Sequence, residues 1–118
     1  MLRLADQMDH LRVVDDQFGC PTFTDSVVAN SLVLIEEGVE GTFHLSSRGE
    51  TSWFEFARTI FKLTGRPVTV DPIPTSEFQT RARRPAWSRL DIKRLSNVPG
   101  TRILPWRQNL EEFLKSLT

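Results

Sequence analysis

The apolar positions of this chain follow two rhythms, one helical and one extended, and the changes between them mark its elements. Residues 1–10 carry Leu2, Leu4, Ala5 and Met8 at loosely helical spacing, with no capping residue ahead of them. Leu11-Arg12-Val13-Val14 is short and β-branched, and Asp15 to Thr22 reads as a polar turn holding Gly19 and Pro21. Thr24 or Asp25 can cap the next helix, whose stripe is Val27, Val28, Ser31, Leu32, Leu34 and Ile35, and Gly38 ends it in the left-handed conformation.

Thr42-Phe43-His44-Leu45-Ser46 predicts a buried strand. Ser52-Trp53-Phe54-Glu55 is a capping box, in which the serine accepts from the Glu55 amide and Glu55 reaches back. Behind it Phe56, Ala57, Ile60, Phe61 and Leu63 line a helical face, stopped by Gly65 and Pro67. Val68-Thr69-Val70 reads as a further strand. From Thr75 to Arg89 periodicity is weak and polarity high. Asp91 can cap a short helix through Leu95, and Pro105 suits the start of a last one carrying Trp106, Leu110, Phe113, Leu114 and Leu117. About four helices and three short strands predict a small α/β fold, an α+β layer too small for a large sheet and expected to pack against something else.

Composition narrows the possibilities. The 118 residues include 15 basic and 15 acidic side chains, so no global field attracts nucleic acid or an anionic membrane. An apolar share of 39% with 25% charged residues suits a single globular domain, 1–118. Cys20, the lone cysteine, cannot form an internal disulfide and fits a reducing compartment. No run approaches the roughly 18 apolar residues of a membrane span, and the N-terminus lacks a secretory pattern. The expected setting is soluble and cytoplasmic.

Candidate chemistry is sparse. The nearest glycine pair, Gly38 and Gly41, follows a helix rather than a strand, so the sequence holds neither a dinucleotide turn nor a phosphate loop. His10 and His44 are far apart, and His44 reads as a core or half-buried histidine rather than a metal ligand or base. Asp15 and Asp16 point oppositely on extended chain and read as turn formers. Cys20 has no basic sequence neighbour to activate it. Arg81, Arg83 and Arg84, beside Pro85 and Trp87, are different. Guanidinium forks bind phosphate oxygens and an indole can stack on a base, although a solvated basic loop has the same composition.

Several segments resemble, in order and spacing, the C-terminal part of dTDP-4-dehydrorhamnose reductases. They are Val14-Asp15-Asp16-Gln17-Phe18-Gly19-Cys20-Pro21-Thr22, Gly41 to Ser46, Ser52-Trp53 and Phe56-Ala57. With them go Pro74-Thr75-Ser76, Ala82-Arg83-Arg84-Pro85, Ser88-Arg89-Leu90-Asp91 and Pro105-Trp106. The resemblance implies membership of the extended short-chain dehydrogenase/reductases, in which a Rossmann half precedes a small substrate-binding half. Residues 1–10 would then be the remnant of a helix from the N-terminal half.

That family reduces the 4-keto group of dTDP-6-deoxy-L-lyxo-4-hexulose to dTDP-L-rhamnose with NADPH or NADH, using a Thr or Ser and a Tyr-x-x-x-Lys motif. Residues 1–118 contain no tyrosine, so the resemblance implies no catalytic residue, no cofactor site and no activity by this chain alone. It implies a dTDP-sugar ligand, with Arg84 on its phosphate and Arg83 behind, and Gln17 and Thr22 either touching the ligand or stabilising their turn. Trp87 would stack on the ligand or, preferably, pack in the core, and Trp53 would pack under the sheet. Some relatives dimerise through glutamate-held Mg²⁺, but no such set is matched. The expected partner is the Rossmann half or a second copy. A competing expectation is a non-catalytic interaction module like the regulatory subunit of methionine adenosyltransferase.

Overall fold

The computed structural model describes residues 1–78 and 80–117. Gln79, within the polar stretch after Thr75, and the terminal Thr118 lie outside the described residues. In chain order the elements are α1 (Leu2–Ala5), β1 (His10–Val14), β2 (Phe18–Gly19), α2 (Thr24–Glu36), β3 (Thr51–Ser52), α3 (Trp53–Thr64), β4 (Thr69–Ile73), a 3-10 turn (Thr75–Glu77), α4 (Lys93–Ser96) and α5 (Trp106–Ser116). They form two compact units, and the chain passes between them more than once. Met1–Gly19 with Thr51–Ser88 make the first; Cys20–Glu50 and the chain from Arg89 on make the second.

In the first unit β1 and β4 pair in parallel, with Leu11 opposite Val70 and Val14 opposite Ile73. The parallel pairing leaves Leu11, Val13, Val14 and Ile73 buried, and α3 packs on both strands with Ala57, Ile60 and Phe61 turned inward. This is the layer expected from the period-2 and period-3.6 rhythms. Helix α3 is bounded as predicted. The Glu55 N–H donates to Ser52 Oγ at 3.1 Å, and Gly65, at φ 66°, takes the left-handed conformation that a Cβ would disfavour. Glu55 itself pairs with Arg58. A second ladder joins β2 to β3, and Phe18 also exchanges backbone bonds with Ala86 (2.8 Å) and Ser88 (2.9 Å). The approach is close enough that a Cβ on Gly19 would lie 2.9 Å from Ser88 Oγ, so a side chain there would displace that hydroxyl.

In the second unit α5 buries Trp106 and Leu110, and α4 buries Leu95. Asn30 is buried on α2, where it donates to Arg102 O at 3.0 Å and accepts from Arg102 N–H at 2.9 Å. Asn109 reaches Ser47 Oγ at 2.9 Å. Among the described residues, buried side-chain polar atoms thus all have partners.

Several expectations are corrected. Thr42–Ser46 joins no ladder, and the four strands found are short. Helix α2 begins after Phe23 with no side-chain cap, so neither Thr24 nor Asp25 has that role, although Gly38 does follow its end at φ 62°. His44 is exposed, its Nδ1 3.1 Å from Asp91 O, because the segment carrying it is not enclosed. Trp53, expected to pack under the sheet, and Trp87, expected in the core in preference to stacking on a ligand, are 52% and 53% exposed.

Candidate functional site

A cavity of about 490 Å³ opens in the first unit. Its floor is strand β1, through Leu11, Val13 and Val14, and its apolar walls are Met1, Leu4, Trp53 and Phe78. Gln17, Thr80, Arg12 and Arg84 bring polar groups to this apolar surface. Such a volume, apolar with a few convergent polar groups, suits a small-molecule ligand.

The two guanidinium groups are not equivalent. Arg12 forms an ion pair with Glu77, which neutralises it. Arg84 has no hydrogen-bond or ion-pair partner among the described residues. An unpaired fork of five N–H donors at an apolar cavity is a ready partner for phosphate or carboxylate oxygens. The sequence positions Arg84 by fixing the loop behind it. Pro85 follows directly, and Ala86 to Ser88 is tied to Phe18 by the two backbone bonds described above.

Gln17 is oriented from the other side. Asp16 accepts from the Thr75 N–H at 2.9 and 3.0 Å and from Thr75 Oγ1 at 2.5 Å. Gln17 Nε2 donates to the same Thr75 oxygen at 3.0 Å, which leaves its second N–H and its carbonyl to a ligand. The hydroxyl and N–H of Thr75 hold the Asp16 carboxyl below its ordinary value. Asp15 accepts from Ser52 Oγ instead. The adjacent carboxylates therefore fasten two different elements and do not form an acid/base pair.

The expected site residues separate. Gln17 and Arg84 line one cavity. Arg83 and Trp87 are exposed neighbours in sequence and are not among its lining residues. The Trp87 ring lies 5.7 Å from that of Phe18. Thr22 belongs to the second unit, where its Oγ1 lies 3.2 Å from Ser46 Oγ and accepts from Ser47 N–H at 3.2 Å. Those bonds give it a turn-stabilising role. Trp53, Phe78 and Thr80 were not read as site residues from the sequence; their common placement depends on contacts between distant parts of the chain. Cys20 is half-buried, and desolvation pushes its thiol up despite the Ser46 hydrogen bond and the Arg89 charge. It is a poor nucleophile. Among the described residues no three His, Cys, Asp or Glu gather as a metal site, and no helix is long and apolar enough to cross a membrane.

The family model for the RmlD substrate binding domain matches residues 1–118. The chain belongs to that family. Among relatives of this RmlD-type domain, the dTDP-4-dehydrorhamnose reductase of Sinorhizobium fredii is 38% identical over 99% of the chain, which spans 43% of that protein. The crystal structure of a dTDP-4-dehydrorhamnose reductase from Clostridium acetobutylicum superposes with TM-score 0.94 at 39% identity, over 98% of this chain and 41% of that one. The Bacillus anthracis reductase, solved in complex with NADP, gives 0.92 at 34% identity, over 98% and 41% respectively. The chain thus spans less than half the length of the relatives it matches, and corresponds to their C-terminal, substrate-binding part.

The residues present do not fit a dinucleotide. Its pyrophosphate needs a glycine turn between a strand and the helix that follows. None of the positive-φ glycines among the described residues, Gly38, Gly41, Gly49, Gly65 and Gly100, stands in such a place.

Proposed function

We propose that this RmlD-type domain binds the nucleotide-sugar substrate of a dTDP-4-dehydrorhamnose reductase, and that the cavity over β1 receives it. The observation that carries this reading is Arg84, a guanidinium without a partner among the described residues, lining a mainly apolar cavity of nucleotide size. Arg84 holds the diphosphate. The Gln17 carbonyl accepts from a ligand hydroxyl or N–H, and Trp53 and Phe78 exclude water and offer flat apolar surface to the base or sugar. Arg83 adds positive potential behind Arg84 rather than direct contact.

The domain supplies binding and orientation, and no proton or hydride. Without tyrosine it lacks the family's proton donor, and it holds no seat for the hydride carrier. Reduction of the 4-keto sugar in dTDP-rhamnose formation requires a Rossmann half, so the chain alone turns over no substrate.

Calorimetric titration with dTDP-rhamnose tests this. Losing a charge-assisted hydrogen bond is worth ~1.5–3 kcal/mol, so Arg84→Ala should weaken binding roughly ten- to hundred-fold. Equal affinity in the variant removes Arg84 from the site. NADPH oxidation by the isolated chain with the 4-keto substrate would overturn its inactivity.

A further inference from the structure

The second guanidinium of the cavity, on Arg12, is masked, and the fold decides by which carboxylate. On β1 Arg12 stands opposite Asp71 of β4, but the Asp71 carboxylate lies 2.7 Å from His10 Nε2. Arg12 pairs instead with Glu77, 65 positions along the chain, at the end of the 3-10 turn that follows β4. That turn is fixed independently of the pair. Glu77 N–H donates to Pro74 O and Phe78 N–H to Thr75 O, each at 3.0 Å, and Asp16 accepts from the Thr75 N–H and hydroxyl. Glu77 is thus presented to Arg12 by a braced turn, and Phe78 directly after it lines the same cavity.

Charge decides what this arrangement does. Arg12 and Glu77 together carry no net charge, whereas Arg84, on the same cavity, has no partner among the described residues. Both side chains of the pair are about half exposed, at 57% and 49%, so the pair itself adds little to stability. Its effect falls on a ligand. An anion that drew Arg12 away would lie beside the Glu77 carboxylate left behind, and like charges at close range repel. An anion at Arg84 meets no such group, because no Asp or Glu is among the lining residues of the cavity.

We propose that Glu77 is a specificity-determining residue of this cavity: by neutralising Arg12 it confines the diphosphate of a ligand to Arg84 and keeps the Arg12 end for uncharged groups. A nucleotide-sugar then enters in one orientation. The proposal deepens the nucleotide-sugar reading and rests on it. The ligands favoured carry their charge in a single diphosphate, and those with a second anionic group find no free guanidinium for it.

Titration of the 118-residue chain with inorganic pyrophosphate tests it. Glu77→Gln removes the negative charge and keeps the bulk, so Arg12 becomes a second charge-assisted donor and pyrophosphate should bind roughly ten-fold tighter or better than to wild type. The gain should shrink with added salt. Glu77→Asp, which keeps the charge, should show no gain, and Arg12→Gln combined with Glu77→Gln should abolish it. With dTDP-rhamnose, Arg84→Ala should be less damaging in the Glu77→Gln background than in wild type, because the diphosphate can then turn to Arg12. Pyrophosphate bound no tighter by Glu77→Gln, an equal gain in Glu77→Asp or in the double variant, or an equal Arg84→Ala penalty in both backgrounds overturns the proposal. The two readings fail separately. A gain for pyrophosphate without any binding of dTDP-rhamnose overturns the nucleotide-sugar reading and upholds the masking of Arg12, whereas dTDP-rhamnose binding without the gain removes the role of Glu77 alone.

Discussion

Asp16 grips Thr75 twice, by its backbone N–H and by its hydroxyl, and the same hydroxyl accepts the Gln17 amide. One turn residue thereby fixes both the end of β4 and the side chain that faces the cavity. Because these bonds favour the ionised carboxylate, Asp16 is more acidic folded than unfolded. Its stabilising contribution is complete above the unfolded value near 3.8 and disappears as pH falls through the lower folded one. Comparing Tm at pH 7 and pH 3 should therefore show a smaller acid-induced drop in Thr75→Val than in wild type. Equal drops would mean that the hydroxyl does not hold the carboxylate.

The same variant should also weaken dTDP-rhamnose binding, because Gln17 loses the oxygen that orients it. A rescue by Thr75→Ser, which restores the hydroxyl, distinguishes orientation from general loss of fold. Unchanged affinity in Thr75→Val would show that Gln17 needs no such support.

Ser52 serves two partners, capping α3 through the Glu55 N–H and donating to Asp15. It is 1% exposed, so water cannot replace either bond. Ser52→Ala should cost about 1–2 kcal/mol in urea unfolding. A loss below a few tenths of that would exclude the cap as a stabilising element.

Cys20 should react with iodoacetamide at neutral pH more slowly than a free thiol in a short peptide, since burial disfavours the thiolate. The raised folded value also sets a direction for stability. The unfolded thiol ionises first, near 9.0, so the fold loses stability as pH rises above that value. Cys20→Ser, with a hydroxyl that does not ionise there, should flatten the decline; an unchanged alkaline profile argues against it.

Core and surface leucines should separate sharply. Leu110 and Leu95 are 2% and 1% exposed, and truncation of either to alanine should cost about 2–5 kcal/mol. Leu32→Ala, at a residue 55% exposed, should remain within about 0.5 kcal/mol in the isolated chain. Chemical denaturation of the three variants measures both, and a large loss at Leu32 would mean that its face is already packed.

Local rules were legible where the partner lies a few residues away. The Ser52 cap, the left-handed Gly65 and Gly38, and Pro105 opening α5 all follow from one turn of chain and its steric demands. Gln17 and Arg84 could be singled out by residue type and by family resemblance. Their meeting at one cavity depends on Thr75, 58 positions from Gln17, and on the loop tied to Phe18. Trp53, directly after the cap, is expected under the sheet, whereas the first residue of α3 opens on the cavity. Thr42–Ser46 shows the complementary limit. Alternating apolar residues announce an affinity for a sheet, and say nothing of whether a neighbouring strand is there to pair with.

The interleaving of the two units bears on how such a protein can be inherited. The chain completes part of the first, builds part of the second, returns to finish the first and then finishes the second. No single cut of the gene releases either unit whole, and a single crossover between two related genes inside residues 20–88 would leave both units assembled from pieces of the two parents. Recombination that respects these folds must therefore exchange the segment as one block, so substitutions at the cavity are inherited together with those of the companion unit.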